Sequence, residues 1–165
     1  MLSKTIQDAI NEQIGKEFYS AYIYLQMSSY FQSTNLSGCA HWMRLQYGEE
    51  VRHAFKLYEY VHEREGHVSL HAIPEPRADY KSPLDVFEQA LGHEREVTAL
   101  INKLYALTQK ENDYPTTIEL QWFVTEQVEE EKNAGAIVEQ LKMIGDNKMG
   151  LIMLDRQLGA RAAGA

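Results

Sequence analysis

Four glutamates stand where helices packed into a protein core should carry apolar residues. An inward-facing helical stripe advances in steps of three and four residues. From about Ser3 to Ser33 that stripe reads Ile10, Ile14, Glu17, Ala21, Tyr24, Ser28, Phe31. From about Ser37 to Arg64 it reads Met43, Tyr47, Glu50, Ala54, Leu57, Val61. A third stretch opens on Ser82 as N-cap and Pro83 as first helical residue. Its stripe is Leu84, Phe87, Leu91, Glu94, Thr98, Ile101, Tyr105. The fourth starts at Pro115, runs to about Gly145 and reads Leu120, Phe123, Gln127, Glu130, Ala134, Ile137, Leu141, Ile144. Glu50 follows Glu17 by 33 residues, and Gln127 follows Glu94 by the same interval. Two helical hairpins with equivalent polar positions are therefore expected.

The connections agree with that plan. Asn35-Leu36-Ser37-Gly38 reads as a short turn. His67 to Lys81, with Pro74 and Pro76, exceeds an ordinary loop and suits a crossover along a bundle. A short fifth segment, about 148–158, is apolar at Leu151, Ile152, Leu154 and Leu158 and stops at Gly159. These four residues lie beyond the bundle and need cover, so the segment is expected to serve assembly. The Ala/Gly-rich tail, 159–165, is expected to be flexible. The fold class is all-α: a single domain over 1–165, a four-helix bundle over about 3–145, one long crossover and a short C-terminal helix. A helix of 28 residues spans about 42 Å, so antiparallel hairpins bring the four mid-seam sites to one level.

Glu50 and His53 lie at i and i+3 on one helical face, so a carboxylate and an imidazole point together. With Glu17, Glu94 and Glu130 the bundle core would hold four carboxylates. An unpaired buried ion costs several kcal/mol, and no Lys or Arg lies on these stripes. Two divalent cations balance the four charges. Carboxylates plus one imidazole suit iron or manganese and also accept zinc. Gln127 can hydrogen-bond or ligate weakly. The plainer alternative puts some glutamates on the bundle rim, or leaves them protonated. Tyr24, two turns beyond Glu17, either bonds a ligand carboxylate or fills the core. Trp122 either packs or donates electrons. Glu126, Glu129 and Glu130 share one face of the fourth helix, and Glu49 flanks Glu50; as residues alone they read equally as a solvated acidic face. His93, beside Glu94, points elsewhere, and Cys39 reads as a small core residue rather than a nucleophile.

Net charge is −8, which opposes nucleic acid as partner and suits cations. One cysteine builds no internal disulfide and fits a reducing compartment. The first ten residues hold no apolar signal core, and no run reaches the roughly 18 apolar residues of a membrane span. A cytoplasmic setting with no membrane partner is expected.

At these residues the chain resembles the ferritins, most closely the haem-free bacterial and archaeal branch, over nearly its whole length. The resemblance places the ferroxidase motif on Glu17, Tyr24, Glu50, His53, Glu94, Gln127 and Glu130. It places a third iron site on Glu49, Glu126, Glu129 and Glu130. The haem-binding branch carries a methionine where this chain has Val51, and a second Glu-x-x-His where this chain reads Gln127-Val-Glu-Glu130. No haem is therefore expected. Rubrerythrins add a Cys-x-x-Cys iron module, which a single cysteine cannot build. Animal ferritins line a pore with acidic residues near the start of the fourth helix; Thr117 and Leu120 fall there, with Glu119 nearby. The resemblance implies a homo-oligomeric shell of twenty-four subunits. It would oxidise Fe(II) with O2 or hydrogen peroxide at a di-iron site and store ferric mineral inside. The rivals are a di-iron oxidoreductase acting on a small substrate without storage, and a bundle whose metals only stabilise it.

Overall fold

A computed structural model describes residues 1–164; Ala165, the last residue of the expected flexible tail, lies outside the described residues. Five helices follow one another, α1 (Lys4–Ser33), α2 (Ser37–Glu63), α3 (Pro83–Lys110), α4 (Tyr114–Ile144) and α5 (Lys148–Gly159). Four of the five starts have a local cause. Ser3, Ser82, Asp113 and Asn147 accept hydrogen bonds from the first-turn amides of Ile6, Asp85, Thr116 and Gly150. The N-cap of α2, Leu36, has no such side chain. Asp155 of α5 supplies the acceptor instead, at 2.8 Å from the Cys39 amide. The ends are equally local: Asn35, Glu65 and Asn112 take φ near +60° just past α1, α2 and α3. Gly145 ends α4 at φ 53°, ψ −129°, a region that side chains resist.

The helices pair as α1 with α2 and α3 with α4, with α1 also against α3 and α5 laid on α2. The crossover, 64–82, is pinned to α1 by Gln7 and Asn11, which bond the His67 amide and carbonyl. Arg77 holds its far end through Asp85 at 2.6 Å. Arg64 ties the end of α2 to the start of α4 through Asp113 and Thr116, at 3.0 and 3.1 Å.

The core is two apolar clusters. One gathers Met27, Phe31, Met43, Phe87 and Leu141, and the other Ile10, Leu57, Ile101, Leu120 and Phe123. The polar mid-seam residues lie between them on all four helices. Among the described residues, α2 and α4 make no close backbone approach. Side chains of the polar layer and its neighbours, such as Gln46 with Glu130, bridge that gap.

Four sequence expectations are corrected. Tyr47 is partly exposed, and the inward position on α2 belongs to Gln46. Gly38 is not a turn residue but the second residue of α2. A β-carbon there would lie 1.7 Å from the carbonyl oxygen of Asp155, so its lack of a side chain is what lets α5 sit on α2. Leu154 and Leu158 do not lie beyond the bundle: they are buried in its core, while Ile152 stays half exposed. The tail does not come free at Gly159, which is still helical, and Arg161 is bonded to α2. No helix among the described residues is long and apolar enough to cross a membrane.

Candidate metal centre

Glu17, Glu50, His53, Glu94, Gln127 and Glu130 are all buried, none more than 5% exposed. Glu17, Glu50 and His53 each offer a donor atom within 4.8 Å of the other two. His53 Nδ1 lies 3.5 Å from Glu50 Oε2, and Nε2 lies 3.9 Å from Glu126 Oε1. His53, Glu126 and Glu130 form a second set with the same mutual reach. The imidazole thus joins the two sets.

Neutral donors surround the carboxylates. Gln13 donates to Glu17 at 2.8 Å, and Gln46 to Glu130 at 2.8 Å. Tyr24 donates to Glu94 Oε1, and Gln127 to Glu94 Oε2 at 3.2 Å. Glu50 Oε1 is buried without any hydrogen-bond partner. Among the described residues no Lys or Arg is paired with any of the four.

The electrostatics follow from that environment. Burial first, and the neighbouring carboxylates next, push Glu130 up to about 8. Burial, partly offset by the Gln13 bond, pushes Glu17 up to about 7. Glu50 is raised well above the carboxylate range by burial, then by Glu94 and Glu17. Glu94 is raised by burial despite its bonds to Tyr24 and Gln127. Burial lowers His53 to about 4, so near neutral pH the ring carries no charge. Its contact with Glu50 is then not an ion pair, and its nitrogen lone pair is free for a cation. Four crowded carboxylates, one orphaned oxygen and a neutral imidazole form a donor set that fits divalent metal.

Of the residues expected at a third site, Glu126 is half-buried and reaches His53. Glu49 is held by Arg161 at 2.6 Å and approached by Arg52 at 3.5 Å. Glu129 is exposed and belongs to neither donor set; Glu126 is raised by burial first and then by the charges of Glu129 and Glu49. Trp122 is 41% exposed and meets the His53 ring edge-on at 5.3 Å. Glu119 pairs with Lys56 at 2.7 Å.

Sequence reasoning missed three participants. Gln13, one turn before Glu17, was legible as an i, i+4 partner. Gln46 was masked by the choice of Tyr47. Arg161 has no local signal at all. His93, next to Glu94, points elsewhere as expected: it bonds Ser20 at 2.7 Å, away from the carboxylates.

The ferritin-like domain family matches residues 7–144. A bacterial non-heme ferritin of Bacteroides fragilis is 42% identical over 98% of this chain and all of its own length. One of Campylobacter jejuni is 40% identical over 96% of this chain and 95% of its own. An open-pore ferritin of the archaeon Archaeoglobus fulgidus superposes with a TM-score of 0.97 at 46% identity, over 98% of this chain and all of that one. A humanized archaeal ferritin superposes at 0.98, with 44% identity and full coverage of both chains. The chain belongs to the ferritin family.

Proposed function

We propose that this protein stores iron and oxidises Fe(II) at the buried carboxylate layer of each subunit. The observation that carries the reading is four buried carboxyl groups, Glu17, Glu50, Glu94 and Glu130, with no Lys or Arg paired with them among the described residues and with Glu50 Oε1 unbonded. Glu17 and His53 would hold one ferrous ion, Glu94 and Glu130 the other, and Glu50, central on its seam, would bridge. Each ferrous ion would give one electron, and with two protons the pair would reduce O2 to hydrogen peroxide, or hydrogen peroxide to two waters. The chain's part is to bind and orient. Gln13, Gln46, Gln127 and Tyr24 aim the carboxylates, and the two apolar clusters keep water from the layer.

Glu126, with Glu49, Glu129 and Glu130, would take a third ion more weakly, because all but Glu130 are partly solvated. That arrangement suits passage of product from the pair toward a mineral. Storage requires a shell, and the exposed Met143, Met149, Ile152 and Met153 around α5 supply an apolar face for subunit contacts. A twenty-four-subunit shell in the cytoplasm, using O2 or hydrogen peroxide and no haem, completes the reading. Its support is the family match and the ferritin names of the relatives.

The test is stopped-flow Fe(II) oxidation with electron microscopy of the loaded particles. Glu50→Ala should keep its helical content and lose the fast phase at least about a hundredfold. Wild type should show electron-dense cores. Wild-type rates in the variant, or particles without cores, would overturn the assignment.

A further inference from the structure

Arg161 lies beyond α5 and outside the ligand set proposed above. Its guanidinium donates to Glu49 Oε2 through Nη2 and to Gln46 Oε1 through Nη1, both at 2.6 Å. It stacks over the Trp42 ring at 5.0 Å, and its carbonyl pairs with His41 Nε2 at 2.9 Å. The Arg161 and Glu49 side chains are only 17% and 12% exposed. This is a forked, sheltered, charge-assisted contact, unlike an exposed ion pair of little consequence. Because Gln46 accepts from Arg161, its amide nitrogen is turned to Glu130, which it reaches at 2.8 Å. One arginine therefore grips Glu49 directly and Glu130 through one glutamine. Arg52 is a poorer competitor, longer at 3.5 Å and 61% exposed.

We propose that Arg161 is the chain's own cation for Glu49, a positioning residue that competes with a metal ion for that carboxylate. Third-ion binding is thereby coupled to docking of the C-terminal segment. The inference rests on the third-ion position of the ferroxidase reading. A metal ion taking Glu49 Oε2 competes with the guanidinium for that oxygen's charge and weakens the contact, leaving Gln46, Trp42 and His41 to hold the segment. By reciprocity, a docked segment weakens the third ion by the same factor that the third ion loosens the segment. A weak third position is what onward passage of product needs, and Arg161 would set that weakness.

Zinc(II), which is redox-inert, is the probe, titrated by calorimetry into assembled wild type, Arg161→Ala and Arg161→Lys. The central pair is the internal reference. The third zinc should bind about tenfold tighter in Arg161→Ala, with Arg161→Lys between, since lysine keeps the charge without the fork. Hydrogen exchange of the Ala160 and Arg161 amides, which bond Gln157 and Leu158, reads docking independently of activity. In wild type, zinc beyond two ions per subunit should speed that exchange several-fold. In Arg161→Ala exchange should be fast at all zinc levels. Equal or weaker third-zinc binding in Arg161→Ala, zinc-independent exchange in wild type, or only two zinc sites in every protein overturns the inference while the ferroxidase reading stands. Absence of the two tight sites from wild type would instead sink that reading and the inference with it.

Discussion

At the scale of single residues, Tyr24 separates two roles that the sequence left open. Its hydroxyl donates to Glu94 Oε1, while Gln127 holds the other oxygen. Losing a hydrogen bond to a buried acid costs about 1–3 kcal/mol. Tyr24→Phe should therefore leave helical content intact and weaken the second of the two central ions about tenfold. Zinc calorimetry on the variant decides it. Binding identical to wild type would leave Tyr24 as core filling, edge-on to Trp42 at 6.4 Å. The ligand candidates themselves were legible because each breaks an otherwise apolar stripe. Their orienting partners were less so. Gln46 and Tyr47 are both one step from the stripe, and only packing against α4 selects the glutamine. Arg161 lies 112 residues from Glu49 in sequence, and no periodicity links them.

At the scale of elements, the four long helices followed from their periods; α1, α2 and α4 fall within one residue of the expected bounds, and α3 starts at Pro83 as expected. The fifth was legible as a helix but not as part of the core. Its apolar residues are too few to show whether they face this subunit or another, and Leu154 and Leu158 face this one. The docking depends on Gly38, which lies under the Asp155 carbonyl, and on Asp155, which caps α2 through Cys39. Gly38→Ala should force α5 away from α2, since a 1.7 Å approach cannot relax without backbone movement. We expect a loss of about 1–3 kcal/mol, the usual cost of overpacking. Hydrogen exchange should localise the loss to 148–161 while the four-helix layer keeps its protection. Particle mass by light scattering should fall, because the exposed face of α5 would no longer be presented to a neighbouring subunit. Unchanged exchange and unchanged mass would show that α5 tolerates the shift and does not hold the shell together.

At the scale of the whole molecule, the buried acids make stability depend on pH in a direction opposite to the ordinary one. Glu17 at about 7 and Glu130 at about 8 keep protons in the folded chain that the unfolded chain releases near 4.5. A raised carboxylate stabilises fully below its unfolded value and loses that contribution as pH climbs through the folded one. His53 and His93, both lowered to about 4 by burial, act the other way, mainly between about 4 and 6.5. From pH 6.5 to 8 the histidines' opposing contribution fades as the unfolded rings lose their remaining protons, and the carboxylates dominate. Protein stripped of metal should therefore lose stability steadily over that window, as judged by thermal unfolding. Glu17→Gln and Glu130→Gln should each flatten the slope, since an amide carries no proton to lose. Saturating zinc should abolish the decline, because the ions favour the deprotonated carboxylates. Filling the central pair at pH 7 should release about two protons per subunit, from Glu17, Glu50 and Glu130 together. Calorimetry in buffers of different ionisation enthalpy counts them directly. Stability that rises from pH 6.5 to 8 in the stripped protein, or zinc uptake without proton release, would mean the carboxylates are already charged. The layer would then be balanced by something other than the ions it is proposed to bind.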